Sequence, residues 1–227
     1  MIDEPDLSRL ARTIGDPTRI RMLSLLMEGR ALTAKELAYG ADIEPATATA
    51  HLQRLQGEQL VHVTSQGRHK YFRIESPAVA KLVESLMVLA PERKAAAPSK
   101  PLQAMRLARF CYDHLAGQLG VRLTQSLVAR GLISLHEDEF IVSAEGEAWF
   151  RSFGLDLAQL RRNRRQFAPP CMDWSERQDH MAGSLGAAIA SRMMELGWLE
   201  RSKHTRAVSI TAAGQRGLAE YFDLQLG

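Results

Sequence analysis

Two cysteines and two histidines in the second half of the chain carry the most versatile side-chain chemistry. Cys111 stands three residues before His114, and Cys171 nine before His180, in the stretch Pro169-Pro170-Cys171-Met172-Asp173-Trp174. Two thiols and two imidazoles have the softness and number of donors for a tetrahedral divalent ion such as zinc. The same thiols could line a pocket for a small organic effector or report a reactive electrophile, with Asp113, Asp173 and Trp174 around them. The run Arg161-Arg162-Asn163-Arg164-Arg165, upstream of Cys171, would favour a thiolate there and attract an anion. An inert reading stands beside these, because cysteine is commonly a buried small hydrophobe and histidine a core or cap residue. The three readings remain open at this level: the spacing is unlike a zinc finger, and a shared site would need the segments to fold together first.

An internal repeat must position these groups. Laying His114 on His180 keeps register for twenty residues: His114-Leu115-Ala116-Gly117 matches His180-Met181-Ala182-Gly183, and Gly131-Leu132-Ile133 matches Gly197-Trp198-Leu199. Further on, Val142-Ser143-Ala144-Glu145-Gly146 matches Ile210-Thr211-Ala212-Ala213-Gly214. Each unit reads as a long helix, a hairpin and a second helix capped by Ser143 or Thr211, a winged-helix-like half without an obvious recognition helix. Cys111 and His114 would then share one helical face. Gly117 and Gly120, like Gly183 and Gly186, would lie inside the long helices at about 1 kcal/mol each against alanine, offset by close packing of the two glycine faces around a pseudo-two-fold axis.

The first half carries a different signature. Asp16 followed by Pro17 reads as an N-cap with proline at the first helical position, and Ile20, Leu23, Leu26 and Met27 recur at helical spacing up to Gly29. Thr33 and Glu36 form a capping box for a short second helix to about Ala41, and Pro45 opens a third running to about Glu58. In that third helix Ala48, Leu52 and Leu55 share an inward face. Ala46, Thr47, Ala50, Gln53 and Arg54 point the other way, with Thr49 and His51 on the flanks, a set able to meet base edges and phosphates. Leu60 to Thr64 and His69 to Ile74 read as two strands around Ser65-Gln66-Gly67-Arg68, placing Arg68, His69 and Lys70 at a basic hairpin tip.

With the segments LARTIGDPTRIRMLSLLMEG, LTAKELAYGADIEPATATAHLQRLQGEQLV and SQGRHKYFRI in view, residues 5 to 90 resemble the ArsR/SmtB family of bacterial winged-helix repressors. The resemblance implies a homodimer on a two-fold-symmetric double-stranded operator near its own promoter, released when an inducer binds. It also implies that Pro45 to Leu55 is the recognition helix and Ala78 to Ala90 the dimer-forming helix. The departures matter as much. Glu36 to Ala41 contains no thiol, and residues 76 to 90 contain no histidine and one carboxylate, Glu84, so neither of the family's usual metal sites can form there. The input is therefore expected elsewhere in the chain.

Composition sets looser bounds. The 227 residues, 45% of them hydrophobic, suffice for two cores. Net charge is +3, and residues 1 to 90 carry eleven basic and eleven acidic side chains, so the local charge of the wing argues for nucleic acid where the global charge does not. No membrane-length apolar run and no signal peptide are read, and a cytoplasmic protein with both thiols reduced is expected.

The expected fold is mainly α with small β-hairpin wings, an α+β chain. Its expected divisions are an ArsR-type DNA-binding and dimerisation domain at 1–90, a linker at 91–101 formed by the stretch PERKAAAPSKP, and an effector domain at 102–227 made of repeats 102–167 and 168–227. The expected function is a sequence-specific repressor and not an enzyme. Its effector would be met by Cys111, His114, Cys171, Asp173, Trp174 and His180, with no cofactor certain and a divalent metal, an electrophile or a small organic molecule as candidates. A constitutive architectural DNA binder is the alternative, followed by a thiol-dependent enzyme. Absence of a glycine-rich phosphate loop, a nucleophile elbow and a Cys-x-x-Cys pair argues against the enzyme.

Overall fold

A computed structural model describes residues 5–27, 31–67, 69–91, 100–202 and 205–226, without the side chains of residues 100–102. The chain divides into two compact units, residues 1–86 and 87–227.

The first unit runs α1 (Leu7–Ile14), α2 (Pro17–Leu26), β1 (Leu32–Thr33), α3 (Ala34–Ala41), α4 (Pro45–Gly57), β2 (Val61–Gln66), β3 (His69–Ile74) and the start of α5 (Pro77–Leu89). The capping signals act as their residue types dictate. Asp16 accepts from the backbone N–H of Thr18 at 2.9 Å and of Arg19 at 3.0 Å, and the Thr33–Glu36 box is complete on both sides. Asp42 closes α3 in the left-handed conformation, which turns the chain sharply into α4. Met22, Leu23 and Leu26 of α2 are fully buried with Leu37 of α3 and Ala48, Leu52 and Leu55 of α4, so the three helices share one core. The wing is longer than Leu60 to Thr64 suggests: β2 and β3 pair from Val61↔Ile74 to Gln66↔His69, and β1 adds a third strand beside β3. Gly67 takes φ +58° at the tip. Arg68 and Gly29 lie outside the described residues, as do residues 92–99 of the expected linker, whose end is taken up by α6 (Lys100–Leu107).

The second unit repeats one plan. Its first half is β4 (Arg109–Cys111), β5 (His114–Ala116), α7 (Gly117–Ala129), β6 (Ile133–His136), β7 (Glu139–Val142) and α8 (Ala144–Ser152). After the short α9 (Leu157–Arg161) come β8 (Pro170–Met172), β9 (Asp179–Met181), α10 (Gly183–Glu195), β10 (Leu199–Arg201), β11 (Val208–Ile210) and α11 (Ala212–Phe222). Ser143 and Thr211 cap α8 and α11 by accepting from Gly146 and Gly214, both at 3.0 Å.

Two expectations are corrected here. Each half opens with a hairpin ahead of its long helix, so Cys111 and His114 do not share a helical face. They are cross-strand partners in β4–β5, as Cys171 and His180 are in β8–β9. A three-residue spacing suits one helical turn and a two-residue hairpin loop equally, and Tyr112 at φ +60° settles it as a hairpin.

The leading glycines are also not interior. Gly117 and Gly183 are the first residues of α7 and α10, at φ +75° and +73°, which L side chains rarely adopt. Nor do the glycine faces meet chiefly each other. α7 packs on β9 and α10 on β5, so each helix crosses the other half's hairpin. A Cβ on Gly120 would lie 2.3 Å from the carbonyl oxygen of Leu115 and 3.6 Å from the Cβ of His180; one on Gly186 would lie 2.3 Å from that of Met181 and 3.3 Å from the Cβ of His114. The small residues seat histidines. The core around them runs through Leu119, Leu127, Leu185 and Met193 to an aromatic group of Phe150, Phe153, Trp198 and Phe222.

Candidate nucleic-acid interface and candidate metal centre

In α4, Ala46, Thr47, Thr49, Ala50, Gln53 and Arg54 are all exposed, opposite the buried Ala48, Leu52 and Leu55. Thr49 donates its hydroxyl back to the carbonyl of Pro45 at 3.0 Å, which restrains its rotamer. His51 behaves differently. Its ring is half-buried, with Nδ1 3.4 Å from the Arg19 guanidinium and 3.7 Å from Asp16, so it ties α4 to the cap of α2. Arg19 is itself buried, donating to the carbonyls of Thr13 at 2.5 Å and Arg12 at 3.0 Å. On the wing, His69 and Lys70 are exposed.

The second constellation lies within unit two. Cys111 and His114 come from one hairpin, Cys171 and His180 from its counterpart, and the four ligand atoms all lie within 4.8 Å of one another. The two Sγ atoms are 3.8 Å apart and the two Nε2 atoms 3.1 Å apart. Cys111, His114 and His180 are buried and Cys171 half-buried. The imidazoles stack at a 29° interplanar angle with centroids 5.0 Å apart.

Each imidazole turns its other nitrogen to a carboxylate of its own hairpin. His114 Nδ1 lies 3.3 Å from Asp113, and His180 Nδ1 lies 3.7 Å from Asp173 and makes no hydrogen bond. Each carboxylate is held by an arginine at or ahead of the other hairpin: Arg109, the first residue of β4, donates to Asp173 at 2.7 Å, and Arg165, ahead of β8, to Asp113. Asp173, fully buried, also accepts from the backbone N–H of Gly117, Ser175 and Glu176 and from the Ser175 hydroxyl. Burial alone would raise its carboxyl pKa, but Arg109 and these donors outweigh burial and hold it well below the usual carboxylate range. For Asp113 burial is likewise outweighed, by His114 and Arg165. Burial, then His114 and Arg109, push His180 well below the usual histidine value against the opposing Asp173.

The sequence-predicted groups thus come together, with two adjustments. Trp174 stacks against Arg109, whose guanidinium carbon lies 4.4 Å from the ring centroid. Of the arginine run, Arg165 serves Asp113, while Arg161 pairs with Glu147 and covers Phe167. Arg109 was missed by sequence reasoning: no local pattern marks an arginine whose partner lies 64 residues away.

A helix-turn-helix whose third helix presents an exposed polar face, followed by a wing, defines a winged-helix DNA-binding regulator. Residues 14–64 match the family model described as a helix-turn-helix domain. Over 98% of its length the chain is 39% identical to 99% of the uncharacterized HTH-type transcriptional regulator YdfF of Bacillus subtilis. It is also 33% identical to the HTH-type transcriptional regulator Rv0324 of Mycobacterium tuberculosis, over 39% of each chain. Among solved structures it is similar to a possible transcriptional regulatory protein of Mycobacterium bovis, solved as fragment 1–100 (28% identity, 38% of this chain and 91% of that one, TM-score 0.36). It is also similar to the cadmium sensor CMTR of M. tuberculosis (28%, 41% and 99%, TM-score 0.33). The chain belongs to the HTH-type transcriptional regulators, and its first unit is a winged helix-turn-helix. Among the described residues no helix is long and apolar enough to cross a membrane.

Proposed function

We propose that the protein is a homodimeric, sequence-specific repressor whose DNA affinity is set by an effector met in the second unit at the Cys/His cluster. The observation that carries this reading is the pairing, in one chain, of an exposed α4 face beside a basic wing with a buried set of donors contributed equally by two hairpins. The recognition face is Ala46, Thr47, Thr49, Ala50, Gln53 and Arg54, and the wing residues Arg68, His69 and Lys70 contact the backbone; His51 supports α4 from behind. The ArsR resemblance supports the dimer, which would set two recognition helices about one DNA turn apart, roughly 34–36 Å. The full-length regulator of Bacillus subtilis, matched from end to end, supports the second unit as part of the regulator itself.

Footprinting of the full chain on DNA upstream of its own gene tests this reading. A protected site with two related half-sites about one turn apart is expected. Even protection along the fragment would instead indicate an architectural DNA binder and overturn the repressor reading.

A further inference from the structure

We propose that Cys111, His114, Cys171 and His180 form a tetrahedral site for a zinc-class divalent cation bridging the two halves of the second unit, and that its occupancy is the regulator's input. The input half of this statement rests on the effector reading above.

The distances fit first. Zinc–sulfur bonds of about 2.3 Å and zinc–nitrogen bonds of about 2.0–2.1 Å in a tetrahedron put sulfurs about 3.8 Å and nitrogens about 3.3 Å apart. The observed separations are 3.8 and 3.1 Å. The remaining spacings, all within 4.8 Å, need to close to about 3.6 Å to complete the figure.

The protons are compatible with the same reading. A neutral imidazole carries one N–H. If both rings keep it on Nδ1, facing Asp113 and Asp173, two Nε2 lone pairs oppose each other at 3.1 Å. If His180 moves its proton to Nε2 to bridge that gap, a bare Nδ1 lone pair is left in the buried interior, 3.7 Å from a carboxylate. A single proton shared between the two Nε2 atoms would satisfy both rings, and so would a cation among the four donors; only the cation also engages the two sulfurs, 3.8 Å apart beside them. Nδ1–H toward a carboxylate with Nε2 toward the metal is also the arrangement that orients ligand histidines elsewhere.

Charge balance allows the burial. Two thiolates and two neutral imidazoles around a divalent ion sum to zero, and the flanking pairs Arg109–Asp173 and Arg165–Asp113 are each neutral. A thiol switch would explain the cysteines alone, whereas a cation engages all four donors. The adjacent cavity, lined by Leu115, Thr124 and Met181 among others, holds about 20 Å³, room for no more than a water. The half-buried Cys171 marks the side from which an ion arrives.

The full-length protein, stripped with a chelator under reducing conditions, should bind one Co²⁺ per chain. Its signature would be intense visible bands of tetrahedral cobalt with thiolate-to-metal charge transfer, abolished by Zn²⁺. Zn²⁺ should also shield both thiols from a disulfide reagent, which tests the wild type even if variants misfold. Cys171→Ser, checked for folding by circular dichroism, should lose the bands. Zn²⁺-loaded protein should bind its operator at least about 5-fold more weakly than stripped protein. Absence of tetrahedral bands, with thiols equally reactive with and without Zn²⁺, would overturn the site. If oxidation linking Cys111 to Cys171 then released DNA, the effector reading would survive without the metal. Tetrahedral bands with unchanged operator affinity would uphold the site and overturn its role as input.

Discussion

Replacing Asp173 with alanine should destabilise the second unit by about 3–5 kcal/mol, the usual result of removing one partner of a buried ion pair. The structure explains why the loss should be that large. Arg109 and Asp173 are 1% and 0% exposed, so water cannot replace the lost carboxylate around the guanidinium. The backbone N–H groups of Gly117, Ser175 and Glu176 lose their acceptor in the same step. For a domain of this size each kcal/mol is worth roughly 2–4 °C, so the melting temperature should fall by roughly 6–20 °C. Thermal melts in chelator, to remove any metal contribution, provide the assay. The double variant Arg109→Met/Asp173→Leu supplies the control, because removing both charges leaves no buried ion unpaired and should recover the part of the loss that comes from the unpaired guanidinium. An Asp173→Ala melt within 1 °C of wild type, or a double variant no better than the single, would refute the reasoning.

Other expectations follow from particular contacts. Gly183→Leu should lower the melting temperature, with about 1–2 kcal/mol from left-handed backbone alone and more from a Cβ 2.5 Å from the Phe167 carbonyl and Pro169; an unchanged melt would reject the assigned seat. Asp16→Ala should cost the first unit about 1 kcal/mol at neutral pH, measured by denaturant melts. Burial would raise the Asp16 carboxyl, but the Arg19 N–H, the Arg19 charge and His51 hold it below its ordinary value. Its contribution is therefore present above the unfolded carboxylate value of about 3.9 and lost as pH falls through the lower folded value, so the gap between variant and wild type should close in acid. Lys70→Ala and Arg68→Ala should weaken binding to all DNA and flatten its salt dependence, whereas Gln53→Ala should change sequence preference, as binding titrations on matched and mismatched sites would show.

The first unit was legible because its signals are local. Asp16-Pro17, the Thr33–Glu36 box and the inward trio Ala48, Leu52 and Leu55 each declare themselves within one or two helical turns. His51 illustrates the limit: it lies on the flank of α4 in a helical projection, and partners brought close by folding, Asp16 and Arg19, draw it inward. In the second unit the caps at Ser143 and Thr211 and the repeat itself were visible. Its opening hairpins were not, since Cys111-x-x-His114 fits a helix as well as a tight turn. The nine-residue interval from Cys171 to His180 held the missing hint, because it is not a helical spacing but does fit a hairpin with a longer loop. The crossed arginines could not be read at all. Arg109 and Arg165 reach carboxylates 64 and 52 residues away, and nothing in their neighbourhoods distinguishes them from solvated charges.

The central claim is that this chain reads a particular DNA sequence through α4 and the wing. Fluorescence anisotropy with full-length protein at physiological salt, comparing DNA upstream of its own gene with a scrambled duplex of equal composition, tests it most directly. Binding tighter to the upstream sequence by about 10³-fold or more is predicted, as specific regulators show. Equal affinity for the two duplexes would contradict it.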